Sequence, residues 1–315
     1  MTAGARLPQT PEPLHEWDLP SGMRIAGDAW GDAAGPVVVL QHGGGQTRHA
    51  WKGTGQTLAK AGYRAIALDA RGHGDSAWAT DGDYTQDAQV EDLVAVLEQL
   101  DAPRPVLVGA SMGGGTSLVA VGEGHVDATA LVLVDIAPRL EIAGANKIGA
   151  FMSQGADGFA SLDEVADAIA AYQPHRPRPR QLDGLAKNVR LGDDGRYHWH
   201  WDPAFRARTR NLEDRHVRLE ACARNLDLPT LLVRGGMSDI LTEEGAAEFL
   251  ELCPGAEYVN IPGAAHMVAG DRNDVFGEAV VEFLLRHVPV DGRAPDAPLH
   301  ERQPVKGAHE ITDVP

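Results

Sequence analysis

Between residues 15 and 290 the chain alternates short apolar runs with stretches whose apolar residues recur every three or four positions. The runs are Val37–Leu40, Ala65–Leu68, Val106–Val108, Ala130–Val134, Leu231–Val233 and Tyr258–Ile261. Runs this short, apolar on both faces, suit strands of a buried parallel sheet. The stretches between them have helical spacing. After Thr85, an expected N-cap, Val90, Leu93, Val94, Leu97 and Leu100 form one stripe. Leu241–Glu244 opens another helix that ends near Pro254. Val275, Val280, Phe283 and Leu284 mark the inner face of a last helix before Pro289. This alternation predicts an α/β fold with a mostly parallel sheet of about eight strands and helices on both faces.

One region breaks the rhythm. From Arg139 to Leu228 no convincing buried strand is found, although Leu162, Val165, Ala166 and Ile169 have helical spacing. Residues 139–228 are therefore expected to form a helical lid inserted after the sixth core strand. The core comprises residues 15–138 and 229–290. Residues 1–14 and 291–315, rich in proline, charge and small side chains, are expected to be tails, because they bury too little to offset ordering entropy.

The formal charge of −17 over 315 residues narrows the partners. It argues against nucleic acid and against an anionic membrane surface. No apolar run reaches the length of a membrane span, and the first fifteen residues lack the apolar block of a signal peptide. Two cysteines, Cys222 and Cys253, make no disulfide framework, so a reducing cytoplasm is the simpler location. The sequence contains neither CxxC nor HExxH, and no metal or cofactor is expected. A homodimer is left open.

The chemistry centres on Gly109-Ala110-Ser111-Met112-Gly113-Gly114, which follows an expected strand and opens an expected helix. That is the setting of a nucleophile elbow, in which a sharp turn lifts a serine hydroxyl to the end of the sheet. A Cβ at Gly109 or Gly113 should clash with neighbouring backbone. A serine needs a base, and His266 lies just after the last expected strand, where its loop should stand beside the Ser111 turn. The imidazole in turn needs a carboxylate. Asp239, after the strand Leu231–Val233, is the expected one, in the chain order nucleophile, acid, base. Asp135, at the end of the preceding strand, could reach the same imidazole or cap a helix. His42-Gly43-Gly44-Gly45 follows the strand Val37–Leu40, and its glycines let an N–H curl inward; the expected oxyanion donors are the N–H groups of Gly44 and Met112.

Together with Arg71–Ser76, Arg234–Asp239 and Gly263–His266, these segments resemble the α/β-hydrolase superfamily over about residues 15–290. The overall look is similar to bacterial lid-bearing members grouped with epoxide hydrolases, haloalkane dehalogenases and carbon–carbon bond hydrolases. The first two groups use an aspartate nucleophile, and Ser111 stands where it would be. The resemblance therefore implies a serine hydrolase acting on a carbonyl, most simply a carboxylic ester or lactone, without a cofactor. A carbon–carbon bond hydrolase of a diketone would use the same triad, as would acyl transfer or cyanohydrin cleavage, and a non-catalytic ligand receptor could retain it. The small-molecule substrate should sit between core and lid. Tyr197, Trp199 and Trp201 of the lid, with Trp51 and His49 beyond the glycine loop, are its candidate contacts; the aromatic run could instead anchor the lid's own core. The loop Arg71–Ser76 is expected to pack beneath the glycine loop, and Arg48 to be solvated.

Overall fold

The computed structural model describes residues 3–8, 10–178, 182–207, 212–268 and 273–290. Eight strands form one sheet: β1 (His15–Asp18), β2 (Arg24–Trp30), β3 (Val37–Gln41), β4 (Arg64–Leu68), β5 (Val106–Ala110), β6 (Ala130–Val134), β9 (Thr230–Gly235) and β10 (Glu257–Ile261). A separate hairpin joins β7 (Val189–Leu191) to β8 (Tyr197–Trp199). The large sheet runs β1-β2-β4-β3-β5-β6-β9-β10, antiparallel at β1/β2 and β2/β4 and parallel elsewhere. The six apolar runs of the sequence are β3, β4, β5, β6, β9 and β10. The strands β1 and β2 escaped notice because β1 buries only Trp17 and the buried stretch of β2, Ile25 to Asp28, is interrupted by Gly27 and Asp28.

Helices cover both faces. On one side, α1 (Lys52–Lys60) packs on the C-terminal α9 (Asn273–His287), with Leu58, Phe276 and Phe283 in one buried cluster. On the other lie α2 (Gln86–Gln99), α3 (Met112–Gly122), α7 (Leu212–Arg224) and α8 (Glu243–Leu252), with Leu93, Leu118, Leu219 and Phe249 in a second cluster. The Thr85 hydroxyl accepts the Ala88 N–H at 3.1 Å and caps α2, as its position predicts. Thr242 does the same for α8 through the Gly245 N–H.

Chain order reverses at β3. One connection leads outward to β4, and the next returns past β3 to β5. Such a switch point opens a crevice at the carboxyl ends of the two strands. The loop His42–Gly45 and the Ser111 turn both leave the sheet there.

The segment after β6 contains α4 (Ile142–Met152), α5 (Leu162–Tyr172), the β7–β8 hairpin and the short α6 (Ala204–Ala207). Met152, Phe159, Val165, Trp199, Trp201 and Phe205 belong to a third buried cluster of its own. It differs from the sequence expectation in two respects. It is not wholly helical, because Val189 and Trp199 pair across the hairpin and bury on one side. It also ends before α7: Leu219, Cys222 and Ala223 belong to the main core, and a Cβ on Gly122 of α3 would lie 2.5 Å from Cys222 Cβ. Both cysteines are free, buried thiols. The expected N-terminal tail is docked: Ala5 pairs with Leu191, and the Pro11 carbonyl accepts Arg48 Nη2. The expected C-terminal tail, residues 291–315, lies outside the described residues. No helix among the described residues is long and apolar enough to cross a membrane.

Candidate active site

Ser111 stands between β5 and α3 with φ 47° and ψ −106°, a left-handed conformation that L residues rarely adopt. The neighbouring glycines make this turn feasible. A Cβ on Gly109 would sit 2.4 Å from the Gly113 carbonyl oxygen, and one on Gly113 2.5 Å from the Gln41 carbonyl oxygen. Backbone cannot yield there cheaply. The turn is pinned by the Ser111 N–H to Val134 O at 3.1 Å and the Gly113 N–H to His42 O at 3.2 Å. Ser111 lines a cavity of about 900 Å³ between the sheet ends and the inserted segment.

His266 lines the same cavity from the loop after β10. Its Nδ1 lies 2.7 Å from Asp135 Oδ2 and donates to it. Asp135 is wholly buried. Its Oδ1 accepts the Gly235 N–H at 2.9 Å, and its Oδ2 also accepts the Ser238 hydroxyl. The Ser238 hydrogen has one place to go: its oxygen already accepts the N–H groups of Ile240 and Leu241 at 3.1 and 3.2 Å. The imidazole proton is thereby held on Nδ1, and Nε2 is left as the basic nitrogen.

The expected carboxylate, Asp239, is not at this position. Its side chain is 45% exposed and takes Lys147 Nζ at 2.8 Å. The reason lies in the turn after β9. Residues 235–238 fold back under the histidine loop, with the Gly236 N–H on Ile261 O and the Met237 N–H on Ala264 O. The turn thus delivers Ser238 and the Gly235 N–H inward and carries Asp239 past the site. Asp135, with φ 52° at the end of the neighbouring β6, fills the vacancy from one strand away.

The glycine loop is held by three histidines. His42 Nε2 accepts the Ala70 N–H at 3.0 Å, and its Nδ1 lies 2.7 Å from Gly43 O. His73 Nε2 accepts the Gly45 N–H at 3.1 Å. His200 Nδ1 accepts the Gly74 N–H at 2.8 Å, and its Nε2 faces Gly45 O at 3.3 Å. Each ring therefore accepts a backbone N–H through one nitrogen, which it can do only when neutral. Burial, first of all, lowers the pKa of His42 and lowers that of His200 further. Gly43, Gly45 and Gly113 have their N–H groups engaged by Gln46 Oε1, His73 and His42 O. The N–H groups of Gly44 and Met112 have no such acceptor among the described residues, and both residues line the cavity.

The loop Arg71–Ser76 packs beneath, as expected. Arg48 does not stay in solvent. It is fully buried, with Nη1 2.6 Å from Asp69 Oδ2 and 2.8 Å from Asp75 Oδ2, and Asp75 also takes Arg190 at 2.9 Å. Of the candidate contacts, His49, Trp51, Trp199 and Trp201 line the cavity, and Tyr197 does not. Alternation does not separate Tyr197 from Trp199, which lie two residues apart on one strand face; their places along the strand differ. Tyr197 pairs through its backbone with Phe159, at the far side of the hairpin. Trp199 and Trp201 stack at 4.8 Å, so they are cavity wall and cluster anchor at once. Phe151 and Tyr172, lid aromatics stacked at 4.3 Å that the sequence did not single out as contacts, also line the cavity, and so does Lys187, which it missed. The stripe that marks α5 points toward Tyr172, but nothing local marks Lys187. His198 pairs with Asp194, and among the described residues no metal-ligating cluster occurs.

Comparison with known proteins follows the same lines. The α/β-hydrolase fold family matches residues 36–272. The esterase Rv0045c of Mycobacterium tuberculosis is 32% identical over 75% of this chain and 78% of its own. The sn-1-specific diacylglycerol lipase ABHD11 of Mus musculus is 29% identical, over 81% and 82%. Among solved structures, E-2-(acetamidomethylene)succinate hydrolase superposes with a TM-score of 0.75 at 22% identity, over 86% of this chain and 98% of that one, a likeness of fold. On its fold, its strand order and the extent of the family match, the chain belongs to the α/β-hydrolase superfamily.

Proposed function

We propose that the chain is a serine hydrolase cleaving a carboxylic ester or lactone through an acyl-enzyme, with Ser111 as nucleophile, His266 as base and Asp135 as its carboxylate. The observation that carries this reading is the His266 Nδ1 contact with buried Asp135 at 2.7 Å, in a cavity that Ser111 shares. His266 Nε2 takes the Ser111 proton as Oγ attacks the carbonyl carbon. The oxyanion that forms accepts the N–H groups of Gly44 and Met112, both on backbone held rigid before substrate arrives. The tetrahedral species collapses, the alcohol leaves with the proton from His266, and water then repeats the sequence to free the acid. No cofactor enters the scheme. The esterase and lipase named above, at about 30% identity, support ester chemistry.

The test is hydrolysis of a chain-length series of nitrophenyl esters and several lactones. Wild type is expected to turn over part of the series, and Ser111→Ala to lose on the order of 10⁶ in turnover. A wild type silent on all of them, with Ser111 still labelled by a fluorophosphonate, overturns the ester assignment in favour of carbon–carbon cleavage. A wild type that is also unlabelled points to a ligand receptor.

A further inference from the structure

Four basic side chains reach the cavity wall: Arg176, Lys187, Arg215 and Arg218. Arg218 is committed to Asp87 and Glu123. Arg176 and Arg215 have partners of their own. Lys187 differs, since among the described residues its ammonium has neither ion pair nor hydrogen bond. It stands in the 3₁₀ turn Asp183–Asn188, which leads into β7. Burial and the nearby Lys52 both push its pKa down. His49, on the same wall, adds no positive charge: burial, and then Arg48, hold its pKa near 4, so it is neutral at pH 7.

A partly buried cation, with a second cation near it and no counter-ion of its own, costs some free energy in the empty protein. Two carboxylates, Asp87 and Asp214, line the same cavity, but Asp87 is committed to Arg218, Asp214 has a partner of its own, and neither pairs with Lys187. The long-range field of a −17 chain repels anions, and screening limits that repulsion to about 8 Å at physiological salt. Recognition of an anion must then be local, and one partly buried, unpaired ammonium on the wall of a mostly apolar chamber provides it.

We propose that Lys187 is a specificity residue that binds a carboxylate remote from the scissile carbonyl, so that the substrate is an acidic ester, such as a half-ester of a dicarboxylic acid. The proposal rests on the ester reading above, and it names the substrate class for that site. The apolar wall built by Phe151, Tyr172, Trp199 and Trp201 takes the chain between the two carbonyl groups, and its length is set by the separation of Ser111 and Lys187.

The test separates binding from turnover. Calorimetry on the Ser111→Ala protein compares the monomethyl esters of succinate, glutarate, adipate and suberate with the corresponding dimethyl esters. One half-ester is expected to bind about tenfold or more tightly than its diester, in line with a charge-assisted hydrogen bond. The double variant Ser111→Ala/Lys187→Met should erase that ratio, and Lys187→Arg should retain part of it. Equal binding of half-ester and diester at every length overturns the proposal, as does a ratio that survives Lys187→Met in a protein with unchanged circular dichroism. In wild type the same preference should appear in KM for 4-nitrophenyl hydrogen adipate over 4-nitrophenyl hexanoate. If the half-ester preference in binding stands while no ester is turned over, the anion site holds and the ester reading falls. If esters are cleaved without any acidic preference, the ester reading holds and this proposal falls.

Discussion

At the scale of single residues, the two aspartates give the sharpest test. Asp135 is buried and holds the His266 imidazole, whereas Asp239 sits in an exposed pair with Lys147. Asp135→Asn should keep the fold and lower kcat by about 10⁴, because the amide favours the wrong imidazole tautomer. Asp239→Asn should leave kcat within about twofold, since an exposed ion pair contributes about 0–1 kcal/mol. Steady-state kinetics on the two variants decides between them, and a reversed order of effects would restore Asp239. The sequence placed a carboxylate near the end of either strand; the choice depended on which way the 235–238 turn folds, and chain order does not reveal that. Ser111 and His266 were legible because each carries a local mark, a glycine-flanked turn in one case and a loop after the last strand in the other.

At the scale of elements, the glycines of the two loops have different duties. Gly113→Ala would drive a Cβ to 2.5 Å from the Gln41 carbonyl oxygen, so either the β3–α3 packing or the Ser111 turn must move. Overpacking of this kind typically costs about 1–3 kcal/mol, read as a lower urea midpoint together with lost activity. At Gly44 the nearest atom to a new Cβ is a Phe205 ring carbon at 3.7 Å, ordinary contact. Gly44→Ala should therefore fold with an unchanged urea midpoint, and its kinetics report only on the oxyanion loop. The strands β3 to β6 and β9 were legible as apolar runs, because a strand buried on both faces needs no alternation; β10, at the sheet edge with only Ile261 fully buried, was legible from its run before Pro262. The β7–β8 hairpin was not. Its strands are three residues long, and they are held by Phe159 and Trp201 from elsewhere in the segment, contacts with no periodic trace.

At the scale of the whole molecule, the neutral histidines tie stability to pH. His42 and His200 have folded-state pKa values below 6.5, so the unfolded chain binds their protons first. Their contribution is complete above about pH 6.5 and falls as pH drops from there toward the folded values. Asp69, held below its usual value mainly by Arg48 against the cost of burial, adds a loss at lower pH still. Urea midpoints should thus be flat from pH 8 to 7 and decline at pH 6 and 5, and a midpoint unchanged down to pH 5 would contradict the neutral-histidine geometry. Because these rings clamp the glycine loop, activity should fall over the same window.

The sequence by itself determined the fold class and singled out Ser111, His266 and the glycine loops as candidates. Each depends on local features: runs and stripes that match strand and helix periods, and glycines where only a missing Cβ lets backbone meet backbone. Only the tertiary structure decided which aspartate meets His266, that Arg48 is buried among Asp69, Asp75 and Asp28, that α7 belongs to the core, and that Lys187 faces the cavity unpaired. Those are relations between segments up to 131 residues apart, as from Asp135 to His266. A charged side chain looks the same in the sequence whether it will meet solvent, a counter-charge or a cavity. The packing of other elements around it makes that choice, through the cost of burying a charge without a partner.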